Sequence, residues 1–385
     1  MRYQSLNETS ATLALWYVVN TSLTAFYKLT EQFGDAKQAL SAELGAWQEL
    51  GVHNAHIKRW QDVDDVMAMV DRLHDEAGRG TYGVLLMDDE RYPEMLRQMY
   101  DPPPVLFYRG DVARLSDRQV AIVGSRQPTE FAYQMTFNMA EYLAYQGLTV
   151  TSGLAGGVDR AAHLGGLSGG RGQTVGVMGT GIDVCYPKNH NALYAQIIND
   201  GGCLISELLP ATPATKHNFP RRNRLVAGLS LATLVTEAAI ASGSLITARL
   251  TAEQGKQVFA VPSSIDNVNA EGCHHLIREG ATLIYHPSQI IDELSESVTG
   301  YNALPKTFSR GVLALDNTHE KPPVPAPVVI PSHLQGVFDK LSGQPADLDT
   351  LVMATALDVG TLLASLLELE MLGVVKVVGG RYERA

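Results

Sequence analysis

Between residues 115 and 295 the chain alternates short apolar runs with glycine-bearing turns and longer helical stretches. VAIVGSR (120–126), LTVTSGLAGGVD (148–159), TVGVMGTGID (174–183), CLISELLP (203–210), LATLVTEA (231–238) and QVFAVPS (257–263) share the theme. Runs without an alternating polar face predict parallel strands covered on both sides. The expected class is a doubly wound α/β domain, in which ligands bind at the carboxyl ends of the strands.

The flanks follow other patterns. In residues 1–79, Leu13, Trp16, Tyr17, Leu23, Phe26, Tyr27 and Leu29 recur at three- and four-residue spacings, which predicts a small helical domain. Gly34, Gly45 and Gly51 are expected to punctuate its helices. DPPPVLFYRGD, ending near 110, reads as a proline-stiffened lead-in to the α/β core, which is taken as 80–300. Prolines 322, 323, 325, 327 and 331 make residues 301–331 a semi-rigid extended linker. Residues 332–385 predict helices near 332–341, 347–356 and 358–372, then a hairpin turning at Gly379-Gly380. Three short helices and a hairpin make a winged-helix-like unit.

A chain of 385 residues with 45% apolar and 18% charged residues fits two or three globular domains and excludes a disordered polymer. Thirty-five glycines without a G-X-Y period exclude collagen. No apolar run approaches the roughly 20 residues of a membrane span, and the N-terminal stretch lacks a signal-peptide pattern. Cys185, Cys203 and Cys273 are far apart in sequence, which argues against a disulfide scaffold and for a reducing compartment. A cytoplasmic protein is expected. Cys273-His274-His275 resembles a metal cluster only in one dimension, since adjacent side chains on a helix diverge. No metal and no cofactor are expected.

Net charge is −11, which taken alone argues against a polyanionic partner. KHNFPRRNR (216–224) changes that picture: Lys216, Arg221, Arg222 and Arg224 sit together with no acid in the segment. Phe219 inside the island can stack on a base while its neighbours hold phosphates. Other loops offer anion sites at helix starts. Gly124-Ser125-Arg126 follows the first strand, with backbone amides and a guanidinium available to phosphate. Gly153, Gly156 and Gly157 allow close backbone approach, either of a phosphate or of helix to sheet; Asp159 is expected to cap or orient that loop. Lys188 lies in a third loop, and Gly243-Ser244 opens a helix as an N-cap or a phosphate-facing start. No nucleophile elbow, H-E-x-x-H or paired carboxylate frame is present, so no catalytic residue is assigned and no enzyme is expected.

YPEMLRQMYDPPPVLFYRGD, VAIVGSR, SGLAGGVDRAAH, FPRRNRLVAGLS, EAAIASGSLITA and VPSSIDNVNAEGCHHLIREGATLI occur in that order across about 82–295. This set resembles the DprA/Smf DNA-processing proteins. The resemblance implies an extended Rossmann-like core that binds single-stranded DNA without cutting it. It implies protection of incoming strands in natural transformation, loading of the RecA recombinase, and a homodimer formed through the core. By motif, Arg126, Lys188, Lys216 and Phe219 fall where the family contacts DNA, and Arg222, Asn223 and Arg224 fall on its R-N-R motif. The family's N-terminal domain is SAM- or helix-hairpin-helix-like, but VVNTSLTAF here lacks the glycines of such a hairpin. The helix expected at 358–372 has two Glu and no Lys or Arg, so this unit is expected to meet protein, or DNA weakly through Lys376 and Arg381. The competing class is a phosphoribohydrolase-like enzyme acting on nucleoside monophosphates. Its P-G-G-x-G-T-x-x-E motif is absent, with Glu237 preceding AAIASGSLITA instead.

Overall fold

The computed structural model describes residues 3–169, 174–297, 330–341, 346–355, 357, 359–371, 374–378 and 381–384. They form two units, Met1–Ala303 and Leu304–Ala385.

The first unit opens with α1 (Glu8–Val18), α2 (Leu23–Phe33), α3 (Ala36–Ser41), α4 (Leu44–Glu49), α5 (Asn54–Gln61) and α6 (Val63–Gly78). Asn7, Ser22, Asp35 and Asp62 cap α1, α2, α3 and α6 by accepting a backbone N–H of the first turn. Gly34 and Gly51 end α2 and α4 at positive φ, whereas Gly45 lies inside α4 rather than between helices. Leu13, Leu15, Trp16 and Val18 of α1 are buried, while Glu8 and Thr9 in its first turn are exposed. The helices share one apolar core with residues under the sheet, including Phe107, Leu154, Met178 and Leu204.

The remaining elements are β1 (Gly83–Leu86), α7 (Glu94–Arg97), β2 (Val105–Gly110), β3 (Gln119–Val123), α8 (Glu130–Tyr145), β4 (Thr149–Ser152), α9 (Val158–Ser168), β5 (Thr174–Val177) and α10 (Asn191–Asn199). They continue with β6 (Cys203–Ser206), α11 (Asn218–Leu229), β7 (Ala232–Val235), α12 (Ser244–Glu253), β8 (Gln257–Ala260), α13 (Glu271–Arg278), β9 (Thr282–Leu283) and α14 (Ser288–Ser297). The sheet order is β1-β2-β6-β5-β4-β3-β7-β8-β9. From β6 through β9 every neighbouring pair is parallel, and every residue of β3 through β7 is buried, as the unbroken apolar runs predict. This is an α/β, Rossmann-like doubly wound core.

DPPPVLFYRGD is more than a lead-in. Pro102–Pro104 cannot donate to a ladder, so pairing begins at Val105, and β2 runs antiparallel to both β6 and β1. Strand order reverses between β3 and β7, which places a crevice at their carboxyl ends.

The second unit holds α15 (Ser332–Lys340), α16 (Leu348–Thr355), α17 (Val359–Met371) and an antiparallel pair, β10 (Val375–Val378) with β11 (Arg381–Arg384). Leu334, Leu351, Leu362, Leu366, Leu369 and Val375 form its core. Gly379-Gly380 and most of the expected linker, residues 301–329, lie outside the described residues. No helix among the described residues is long and apolar enough to cross a membrane.

One core group titrates far from its usual range. The Thr174 hydroxyl donates to Val150 O at 2.8 Å, so its oxygen accepts from Nδ1–H of His163 at 2.7 Å. Nε2 of His163 is then an unprotonated nitrogen buried without a partner. Burial, followed by the charges of Arg222 and His190, holds this imidazole down to about 3. Unfolding releases it to about 6.5, so the unfolded chain binds the extra proton below that pH. Stability from this group is complete above pH 6.5 and falls by up to about 1.4 kcal/mol per pH unit as pH drops toward 3. Urea unfolding at stepped pH should show a shallower acid slope for His163→Gln than for the parent; equal slopes would remove His163 as the source.

Candidate nucleic-acid interface

The crevice at the switch point is a cleft of about 550 Å³. Gly124 and Arg126 after β3, Gly153 and Ala155 after β4, Lys216 with α11, and Gly243-Ser244 at the start of α12 all line it. Eight of the sequence-predicted residues converge here: Arg126, Gly153, Lys216, Phe219, Arg222, Asn223, Gly243 and Ser244.

KHNFPRRNR is mostly helix rather than loop: Asn218 begins α11, and helical spacing divides the island into two faces. Phe219, Arg222, Asn223 and Val226 face the cleft. Arg221 and Arg224 face the other way, into Glu207, which is only 2% exposed. Arg221 Nε donates to Glu207 Oε1 at 3.0 Å, and Arg224 Nη2 donates to Glu207 Oε2. Arg224 Nη1 also donates to Asp101 O at 2.8 Å. The expectation of a basic island without acidic partners is therefore corrected: the acid comes from the end of β6, 14 residues before Arg221. Arg221 and Arg224 sit outside the cleft and hold α11 in place.

Arg222 is buried directly over Gly153, where a Cβ would meet its Nη1 at 1.8 Å. Its Nη1 donates to Val177 O at 2.8 Å, while Nε has no partner. Asp159, beside it, accepts from Ala155 N at 3.2 Å and so orients the loop as expected. Burial pushes the Asp159 carboxyl upward, and the charge of Arg222 opposes that rise. The Phe219 ring rests on Gly179, where a Cβ would stand 2.8 Å from Cδ1. The Arg126 guanidinium lies over this ring at 5.7 Å, and Tyr186 leans against it at 5.3 Å and 39°. Sequence reasoning passed over Tyr186, although it shares a loop with Lys188. Lys216 and Arg126 are exposed, and neither has a carboxylate partner among the described residues.

Of the other candidates in these loops, Ser125, Gly156, Gly157 and Lys188 do not line the cleft. Ser125 is held by backbone bonds, its N–H to Glu237 O and its carbonyl to the N–H of Val158. Gly157, at φ +73°, starts α9 so close to Ser125 O that a Cβ would stand 2.4 Å away. Gly156 stands beside it, and Lys188 is exposed in the next loop. Ser244 Oγ donates to Gly124 O at 2.8 Å, which ties α12 to the β3 loop. Glu237 accepts from Thr129 N at 2.9 Å, from Thr129 Oγ1 at 2.8 Å and from Asn267 Nδ2 at 3.2 Å, so its carboxylate caps α8. Cys273, His274 and His275 turn to different neighbours: Val235 O, the Ser263 backbone and Glu279. The described residues hold no cluster of three or more His, Cys, Asp or Glu able to bind a metal. In the α1–α2 turn, Asn20 and Thr21 adopt positive φ, and Arg221 donates to the carbonyl and hydroxyl of Thr21.

A doubly wound sheet with cationic groups, glycine backbone and an aromatic ring converging at the switch point defines the chain as a Rossmann-like protein with a cationic crevice. Residues 83–295 match the family described as DNA recombination-mediator protein A, and residues 320–381 match the DprA winged helix domain. The chain is 37% identical to Protein Smf of Escherichia coli K12 over 297 residues, covering 77% of this chain and 76% of that one. It is 42% identical to DNA processing protein DprA of Streptococcus pneumoniae over 205 residues, 53% of this chain and 72% of that one. The X-ray structure of DprA from S. pneumoniae superposes with a TM-score of 0.64 at 30% identity, covering 78% of this chain and 100% of that chain. A Helicobacter pylori DprA structure, reported for its single-stranded DNA binding mode, gives 0.50 at 30% identity over 56% of this chain and 96% of that chain. The protein belongs to the DprA/Smf family of DNA recombination mediators.

Glu207→Ala should cost about 3–5 kcal/mol of stability, because it leaves the buried Arg224 charge with only the more exposed, 3.6 Å distant Asp101 carboxylate. Chemical denaturation checks this, and a loss below about 1 kcal/mol would show that the two arginines find water instead.

Proposed function

We propose that the protein binds single-stranded DNA in the switch-point cleft and acts as a recombination mediator. The observation that carries this reading is the joining of Arg126, Lys216 and the Phe219 ring in one open cleft. Exposed cations hold phosphates by releasing counterions, and an aromatic face accepts any base, which together give sequence-tolerant binding. The two carboxylates nearest the loops, Asp159 and Glu237, are spent on the Ala155 amide and on the start of α8, which favours a binding protein over a nucleotide hydrolase.

In the same reading the protein works in the cytoplasm, protects incoming strands during transformation, and helps load RecA onto them. It does so as a homodimer through the core. Supporting the dimer, the edge strand β9 carries an exposed Leu283, and Tyr285 just beyond it is 74% exposed. A solution mass of one chain would remove the dimer. Failure to accelerate RecA filament growth on the bound strand would remove the loading step.

Fluorescence anisotropy of a labelled oligonucleotide across a salt series tests the cleft. Arg126→Ala and Lys216→Ala should each weaken binding and lower the salt slope by about 0.7, the value for one phosphate of a single strand. Phe219→Ala should lose about 1–3 kcal/mol with the slope nearly intact. Wild-type affinity that is weak, salt-insensitive and equal for single and double strands would overturn the assignment.

A further inference from the structure

The first turn of α9 carries a cation that the cleft does not use. Arg160 is exposed, and no carboxylate pairs with it among the described residues. Its neighbour in sequence, Asp159, is buried and bonded to the Ala155 amide. Arg160 Nη1 donates to the hydroxyl oxygen of Tyr133 on α8. That bond fills an acceptor position of the phenol and leaves its own O–H to donate elsewhere. A guanidinium and a phenol are thus held side by side as donors, with no acceptor assigned to the phenol hydrogen among the described residues.

Position makes this pair more than a solvated arginine. Gly157 at the start of α9 touches the Arg126–Pro128 loop, with a built Cβ 2.6 Å from both Arg126 C and Pro128 Cδ. On the other side, His190, two residues after Lys188, donates its Nδ1–H to Leu154 O at 3.1 Å. His190 is held below its usual range first by burial and also by the charge of Arg160. The start of α9, an 11-residue helix, therefore lies between the loop that supplies Arg126 and the loop that supplies Lys188.

We propose that Arg160 and Tyr133 form a second phosphate-binding position, outside the cleft, where a single strand leaving Arg126 crosses the start of α9 toward Lys188. This inference rests on the cleft being the DNA site. It gives the strand a direction and gives Lys188, which does not line the cleft, a place on the track.

Arg160→Ala and Tyr133→Phe, measured with oligo(dT) of increasing length, test the proposal. A strand short enough to fill only the cleft should bind both variants as it binds the parent. Long strands should bind Arg160→Ala about fivefold more weakly at 0.1 M salt, with a slope lower by about 0.7. Tyr133→Phe should weaken long strands alone and leave the slope unchanged. Equal affinity at every length, or a loss accompanied by a lowered melting temperature and an unchanged slope in Arg160→Ala, would overturn the second position while leaving the cleft intact. A parent protein that binds no single strand at all would instead remove the cleft reading.

Discussion

Everything the cleft does depends on one buried carboxylate. Glu207 stands at the end of β6, its two oxygens taken by Arg221 and Arg224 and its backbone carbonyl by Nε1 of Trp16 at 3.0 Å. Three elements meet there: the central sheet, α1, and α11. A helix gripped on one face by an ion pair cannot rotate, so Phe219, Arg222 and Asn223 on the opposite face keep their aim. Lys256 fixes the other end of α11, donating to the carbonyls of Ala227 and Gly228 at 2.9 and 2.8 Å. Burial lowers that ammonium to about 8, and the helix C-terminus is where a cation is best placed.

The charges divide by burial. Arg222 and Asp159 lie together in the cleft floor, close enough that each opposes the shift burial imposes on the other, so they contribute shape and donors more than net charge. Arg126 and Lys216 are exposed at the same cleft and, on the proposed reading, would supply the long-range attraction. For a chain of net charge −11, the proposed reading needs this arrangement, because acids elsewhere on the surface would repel a polyanion.

The sequence made the parallel strands legible because unbroken apolar runs occur only where both faces are buried. It hid β1 and β2 because Pro102–Pro104 looked like a linker and an antiparallel edge has no helix between its strands. The loops after β3, β4 and β6 read as candidate anion loops, and all reach the same crevice because strand topology gathers them. What one dimension could not show was the partition of RRNR. Arg221 and Arg222 are adjacent in sequence yet face opposite sides of α11, and Glu207 belongs to a run that reads only as the end of a strand. Glu237 was likewise weighed as a displaced catalytic residue, whereas three hydrogen bonds make it a helix cap.

If the cleft binds a strand as proposed, Phe219 couples base recognition to phosphate recognition. Gly179 lets one side of the ring lie against the backbone, and Arg126 occupies a cation–π position over the ring. A base that stacks on the face under Arg126 has to displace the guanidinium. A phosphate arriving with that base offers it a stronger, charge-assisted partner. The ring is thus opened by the same ligand that uses it, and the two contacts cannot contribute as independent terms. Mononucleotide fragments that supply only a base would meet a ring already occupied, whereas a polynucleotide brings both exchanges at once. On the proposed reading, a preference for a continuous strand over its isolated parts would follow from that exchange.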